Sequence, residues 1–235
     1  MVHSSFKEYS GFQGSLEGII DVFQHSVSPG GNLMMVSLPY TSYTYEYLRD
    51  LRCFDVRKTP SRMGLISEAF RRRRDVLRSL HPTHPVLAWG PKASWIVADH
   101  ETATYPCGKG TPYEKLAQVR GKVLFFDTVF FVFTFFHYLE ELVKDDLDFA
   151  LYFDAPYEVP VIDADGRRGV VTTRAYSLEA IRRRRPEVLK AELERLGWLK
   201  KDRVGNSRLM LVETDQAIQC TKQMQQKGVL FYTRD

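Results

Sequence analysis

The run VLFFDTVFFVFTFF, residues 123–136, limits what this chain can fold into more than any other stretch. It carries one charge, Asp127, and is fourteen residues long, whereas a helix needs about 20 apolar residues to cross a bilayer. The run therefore reads as a buried strand followed by a turn. Around it, strand-like and helix-like segments alternate. SLEGIIDVFQ sets Leu16, Ile19, Ile20 and Phe23 at helical spacing. PGG breaks the chain, and NLMMVSL reads as a buried strand. A helix is predicted through TPSRMGLISEAFRRRR, with Leu65, Ile66, Ala69 and Phe70 turned inward. VLAWG, SWIVA and KVLFF read as strands, and FHYLEELVKDD and PEVLKAELERLG as helices, the second closing at Gly197. RLMLVE, a helix through TDQAIQCTKQMQQ, and GVLFY finish the chain. The alternation predicts one layered α/β domain over residues 1–235, with a turn-rich DADGRRG stretch marking a hairpin tip or an excursion around 155–175.

Charge and cysteine content narrow the function classes. A net charge of +4 suits an anionic ligand such as a nucleotide cofactor and falls short of a nucleic-acid binder. The two arginine runs, Arg71–Arg74 and Arg182–Arg185, read as solvated helix faces, without the interleaved aromatics that stack bases. Cys53, Cys107 and Cys220 are odd in number and form no CxxC pair, so a disulfide framework is not expected. The opening MVHSSFKEYSG lacks the basic-then-apolar pattern of a signal peptide. A soluble cytoplasmic protein is the expectation, with no nucleic-acid or membrane partner.

Three segments carry chemistry. LHPTHPV sets His81 and His84 three apart, each before a proline, so both sit on extended or turning backbone. From the heptapeptide alone, each is either a loop histidine or a site residue. GKGTPYEKL offers Thr111 as a helix N-cap, Pro112 in the first turn and Glu114 as a capping-box partner, after a glycine-flanked loop with Lys109. Such a start attracts phosphate, or is simply a well-capped helix. TFFHYLEE places Thr134, His137 and Glu140 or Glu141 on one helix face, which is either a site or an ordinary helix start. His81, His84, His100, Cys107 and His137 lack the spacing of metal ligands, so no metal is expected.

Taken in order, VHSS (2–5), GGNLMMVSLPYT (30–41), TPSRMGLISEAFRRR (59–73), RSLHPTHPVLAWG (78–90), GKGTPYEKL (108–116), TFFHYLEE (134–141) and VGNSRLMLV (204–212) resemble the aminoglycoside 3-N-acetyltransferase family, which is distinct from the GNAT fold. The resemblance runs over nearly the whole chain. It implies a layered α/β/α fold with a central mixed sheet, and an acetyl-CoA-dependent N-acetyltransferase acting on an amine of an aminoglycoside or amino sugar. Two alternatives accompany it: an acyltransferase for a biosynthetic amine, and a CoA-binding member without turnover.

The resemblance also assigns residues. The second histidine of the HPTH segment, His84, is implied as the catalytic base, and His137 and Glu140 share its cleft. His3, Ser4, Ser5, Gly110, Thr111, Pro112, Tyr113 and Thr134 are implied on the cofactor side. A histidine titrates near neutrality and can remove the proton that keeps an amine from attacking a thioester. Glu140 would orient that imidazole, and Thr134 or backbone amides would receive the thioester oxygen. The expected partner is a small-molecule amine; a homodimer stays open. Three departures stand out: family members usually carry a further helix and strand before the HSS segment, a serine where Pro85 stands, and a glycine where Asp127 stands.

Overall fold

The structure is a computed structural model that describes residues 1–5 and 13–233. Its central sheet follows from alternation along short apolar strands. In β2 (Leu33–Val36), Leu33 and Met35 turn to one face, while Met34 and Val36 turn to the other. The same division holds in β5 (Val86–Trp89) and β6 (Lys122–Phe126): Leu87, Leu124 and Phe126 lie on the first side, and Val86, Ala88, Val123 and Phe125 on the second. Successive side chains of a strand point to opposite faces, so strands apolar at every position must be covered on both.

Helices supply the covers. On the first face lie α1 (Leu16–Ser26) and α3 (Leu65–Arg71), through Ile19, Ile20, Phe23, Ile66 and Phe70. On the second lie α4 (Ala93–Val97), α5 (Pro112–Gln118), α6 (Phe136–Val143), α8 (Pro186–Arg195) and α9 (Thr214–Gln226). The result is the layered α/β/α arrangement expected from the sequence.

The seven strands run in the order β4-β5-β2-β1-β6-β10-β9, where β1 is Val2–Ser4, β4 Leu77–Arg78, β9 Lys200–Val204 and β10 Ser207–Glu213. The middle three, β2, β1 and β6, are parallel, with Val2 opposite both Met35 and Leu124. The outer strands β5, β4, β10 and β9 join antiparallel, so the sheet is mixed. A second, three-stranded sheet pairs β3 (Phe54–Asp55) with the hairpin β7 (Tyr157–Ile162) and β8 (Arg168–Thr173). It packs its own core of Phe54, Val159, Val161 and Val171 against Leu48 of α2 (Thr44–Asp50).

Several features differ from the sequence reading, among them Leu65, expected to turn inward but exposed at the start of α3. SWIVA belongs to the helix α4, not to a strand: Ala93 and Ile96, three apart, are its buried residues. GVLFY does not join the sheet. Its Phe231 carbonyl accepts from the Arg185 amide and its Tyr232 bridges Arg184, so the segment is strapped across the second arginine run. That run is not a solvated face either, because Arg183 is buried and pairs with Asp148 and Glu179. Its first two arginines end α7 (Leu178–Arg183), which Ser177 caps by accepting from the Ala180 amide.

Candidate active site

The HPTH segment forms the tip of the β4–β5 hairpin, at the same end of the sheet as the carboxyl end of β2. Ser79 closes the tip: its amide donates to the Val86 carbonyl, and its hydroxyl accepts from the Val86 amide. Inside the tip, Nδ1 of His81 accepts from the backbone amides of Thr83 and His84, each at 3.3 Å. The first histidine of the pair is thus the turn's organiser, doing with a ring nitrogen what an Asx side chain does with oxygen. His81 also stacks on His100, with centroids 4.4 Å apart. Nε2 of His100 donates to the Pro106 carbonyl at 2.9 Å, which leaves Nδ1 to accept from the Ser79 hydroxyl at 2.8 Å. Burial pushes His81 well below the usual imidazole range and His100 down to about 3, so both are neutral struts.

His84 is also buried, and burial together with the nearby His137, His100 and Arg184 pushes it well below the ordinary imidazole value. Its Nδ1 lies 3.0 Å from the Thr83 hydroxyl. Nε2 has no hydrogen bond to any described residue. The ring meets His137 edge-on at 5.4 Å, with Tyr176 at 5.9 Å and Tyr40 at 6.3 Å. Tyr113 holds the loop from behind, its hydroxyl donating to the His84 carbonyl at 3.3 Å. Pro85 offers no amide, but its carbonyl accepts from Ser37 at 2.9 Å and ties the loop to the end of β2.

His137 and Glu140 stand one turn apart on α6, and Nδ1 of His137 lies 2.6 Å from Oε2 of Glu140. Glu140 is fully buried. Its other oxygen accepts from Nε of Arg184 at 2.6 Å and from the Tyr232 hydroxyl. Burial alone would raise this carboxyl, but the Arg184 guanidinium and His137 hold it down to about 2, so it stays ionised. Arg184 in turn lies over the Tyr176 ring at 4.9 Å, and Tyr176 stacks on His137 at 4.8 Å. Sequence reasoning put Glu140 behind His84; it instead holds His137, whose ring edge meets His84. Reasoning from the sequence also missed Arg184, Tyr176 and Tyr232 altogether.

The residues that the resemblance implies on the cofactor side fall into two groups. His3, Ser4 and Thr134 line one small cavity of about 80 Å³ with Met63, Ser67 and Thr128. It opens at the carboxyl ends of β1 and β2, the end where open α/β sheets bind ligands. The Thr134 amide donates to Nε2 of His3 at 3.4 Å, and burial pushes that imidazole down to about 3, so it serves as an acceptor. The Ser4 and Ser5 side chains are half-buried and make no hydrogen bond among the described residues. Gly110, Thr111, Pro112 and Tyr113 are elsewhere, and their polar groups are engaged internally. The expected capping box is replaced: the Thr111 hydroxyl donates to the Gly108 carbonyl at 2.6 Å, and Glu114 accepts from Gly110, one residue before the cap, at 2.7 Å. That loop supports His84 through Tyr113.

Asp127 shows why a glycine suits the end of β6. Its φ is +51°, in the left-handed region, where aspartate is among the few tolerated non-glycine residues. The carboxylate is used at once, accepting from the Ser207 hydroxyl at 2.7 Å and the Arg208 amide at 2.8 Å. Among the described residues no group of three or more His, Cys, Asp or Glu side chains is arranged to hold a metal, and no helix is long and apolar enough to cross a membrane.

Comparison with known proteins places this geometry in context. The family model described as aminoglycoside 3-N-acetyltransferase matches residues 1–226. Aminoglycoside N(3)-acetyltransferase III of Acinetobacter baumannii is 25% identical over 193 residues, which are 77% of this chain and 66% of that protein. Aminoglycoside N(3)-acetyltransferase VII of Streptomyces paromomycinus is 33% identical over 111 residues, 45% of this chain and 34% of that protein. The chain thus spans between about a third and a little under two thirds of the length of the curated relatives it matches. Among solved structures, aminoglycoside acetyltransferase AAC(3)-Xa superposes with a TM-score of 0.79 at 22% identity, covering 100% of this chain and 88% of that one. AAC-IIIb, solved as a binary complex with CoASH, superposes with a TM-score of 0.77 at 22% identity, covering 100% and 91%. At these identities the likeness shows the fold.

Proposed function

The chain belongs to the aminoglycoside 3-N-acetyltransferase family, and from that membership we propose that it moves an acetyl group from acetyl-CoA to an amine, with His84 as general base. The observation that carries the proposal is the juxtaposition of His84 with His137, whose Nδ1 is held by the ionised Glu140. Relatives named as aminoglycoside N(3)-acetyltransferases support an aminoglycoside as the first substrate to try. The complex of AAC-IIIb with CoASH supports acetyl-CoA as the donor.

Acetyl-CoA supplies a thioester carbonyl as the electrophile. The cavity beside Thr134 suits that acyl end in size, since about 80 Å³ holds only two or three water-sized groups. The half-buried Ser4 hydroxyl, which makes no hydrogen bond among the described residues, is a donor on that cavity's wall, whereas the Thr134 hydroxyl donates to the Val132 carbonyl. The Thr83 hydroxyl has one proton and lies between two ring nitrogens, His84 Nδ1 and His81 Nδ1. His81 Nδ1 already accepts amide hydrogens, so it is unprotonated, and the Thr83 hydroxyl can donate to it. His84 then carries its hydrogen on Nδ1, and the Nε2 lone pair faces the amine. His84 takes the amine proton as the N–C bond forms, and returns it to the departing sulfur. The buried ring stays neutral at rest, so the charge that His84 takes up in this step is transient.

A second reading, an amine other than a polycation, is favoured by one feature. Neither carboxylate of this part of α6 is uncompensated: Glu140 pairs with Arg184, and Glu141 with Lys144 and Tyr152. Thiol release from acetyl-CoA, measured against a panel of aminoglycosides and simple amino sugars, tests both readings. Turnover with an aminoglycoside supports the first, and turnover restricted to weakly charged amines the second. CoA binding without turnover on any amine overturns both.

A further inference from the structure

We propose that the arginine-lined pocket at the β4 edge of the central sheet binds a compact oligophosphate anion, independently of the acetyl-transfer site. The pocket has a volume of about 750 Å³, within the roughly 300–1,000 Å³ of small-molecule sites. Its walls come from the loop after β3, the end of α3, β4 itself and α4, with Ala164 of the β7–β8 turn at the rim. β4 is one edge of the sheet, whereas the cavity of His3, Ser4 and Thr134 opens inside it, at β1 and β2.

Six arginines converge on this pocket: Arg57, Arg71, Arg72, Arg73, Arg74 and Arg78. The carboxylates around them are already engaged. Glu68 takes both Arg71 and Arg72, and Arg73 lies between Asp21 and Asp75. Asp55 accepts from the Arg57 and Lys58 amides and faces the Lys58 ammonium at 3.9 Å. Asp163 and Asp165, on either side of Ala164, are taken by Arg167. Arg57, Arg74 and Arg78 have no ion-pair partner among the described residues. Arg78 is half-buried all the same. Its terminal nitrogens donate to the carbonyls of Val56, Thr59 and Ser37, and its guanidinium lies over the Phe54 ring at 4.9 Å. Its Nε is buried without a hydrogen-bond partner. Burial and the nearby Arg71 push Arg78 down to about 9, the mark of a charge its surroundings do not balance.

Two ordinary purposes account for only part of this. Basic residues suit the carboxyl end of a helix such as α3, and a charged edge strand discourages strand addition. Arg57 belongs to neither α3 nor β4, and Arg78 is turned inward to carbonyls instead of guarding the edge. An anion held among the guanidinium groups accounts for the whole set. Phosphate accepts from arginine in bidentate fashion, and several arginines around one concavity suit several phosphates held close together. The uncharged part of the wall is aliphatic, from Val56, Val76, Leu77 and Val97. It offers no ring for stacking bases, which favours a small anion over single-stranded nucleic acid.

The test titrates inorganic tripolyphosphate into the intact protein by calorimetry, beside the R57E/R74E double variant and a control, Arg208→Glu, on β10 at the other side of the sheet. Arg57 and Arg74 are exposed and unpaired, so the double variant is expected to keep the thermal midpoint of the intact protein. The expected result is saturable binding that weakens by about tenfold or more in R57E/R74E and is unchanged in Arg208→Glu. An intact protein that does not bind tripolyphosphate saturably overturns the assignment. So does an unchanged affinity in R57E/R74E, or an equal loss in Arg208→Glu. Binding of hexaglutamate but not of tripolyphosphate overturns it in favour of an acidic peptide.

Discussion

His137 Nδ1 lies 2.6 Å from Oε2 of Glu140, and that carboxylate is also held by Arg184 and Tyr232 without any exposure to solvent. A charge so deep persists only because it is paired and hydrogen-bonded, and removing one partner leaves the other charge buried alone. Glu140→Gln is therefore expected to lower stability by about 3 kcal/mol or more, read as a shift of the urea midpoint. A loss well under 1 kcal/mol would mean that Arg184 finds another partner or reaches water.

Tyr113 touches His84 only through the loop's carbonyl, so under the proposal it positions the base from behind. Tyr113→Phe is expected to cost about 1 kcal/mol of stability and to lower kcat with little change in KM for acetyl-CoA. The conservative change keeps the ring against His100, so the kinetic split isolates the hydroxyl. A rise in KM alone would instead put Tyr113 at the cofactor.

Asp127 separates backbone strain from side-chain contact. Asp127→Ala keeps a left-handed residue that costs about 1–2 kcal/mol and removes the acceptors of Ser207 and Arg208. Asp127→Gly removes the same acceptors but relieves the strain. Thermal melts are expected to rank the parent first, Gly next and Ala last. Ala equal to Gly would show that the positive φ costs nothing here.

Stability should fall on the acid side of neutrality. His3, His81, His84, His100 and His137 are all pushed below the ordinary imidazole value, chiefly by burial, His3 and His100 to about 3. The unfolded chain protonates these groups near pH 6.5 and the folded chain does not, so the unfolded state binds more protons below that pH. Each such group removes up to about 1.4 kcal/mol per pH unit as pH drops from 6.5 towards its folded value. Glu140, held at about 2 against 4.5, adds a further loss between those values. Denaturant midpoints at pH 7.5, 6.5 and 5.5 are expected to decline steeply over the last interval; a flat profile would mean these histidines are hydrated.

Much of this architecture was legible in the chain because β2, β5 and β6 are apolar at consecutive positions and α1 and α3 at helical ones, so local pattern and burial agree. β9 was not legible: KKDRV is exposed at every position and has no apolar alternation. The site divides in the same way. His84, His137 and Glu140 lie in compact segments whose order resembles a known family. Arg184 sits in an arginine run that reads as solvated, and nothing near it in sequence announces a carboxylate 44 residues away. Tyr232 is 92 residues from the same carboxylate. Long-range pairing of this kind exists only once the sheet has brought α6, α7 and the chain's last segment together.

The central claim is that His84 is the base of an acetyl transfer, and one comparison tests it most directly. Thiol release from acetyl-CoA is measured for the intact protein and for His84→Ala on the best amine of the panel, with CoA affinity and thermal midpoint recorded for both. The account predicts a loss of about 10²–10⁴-fold in kcat with CoA affinity retained and the protein folded. Turnover undiminished in His84→Ala would contradict it.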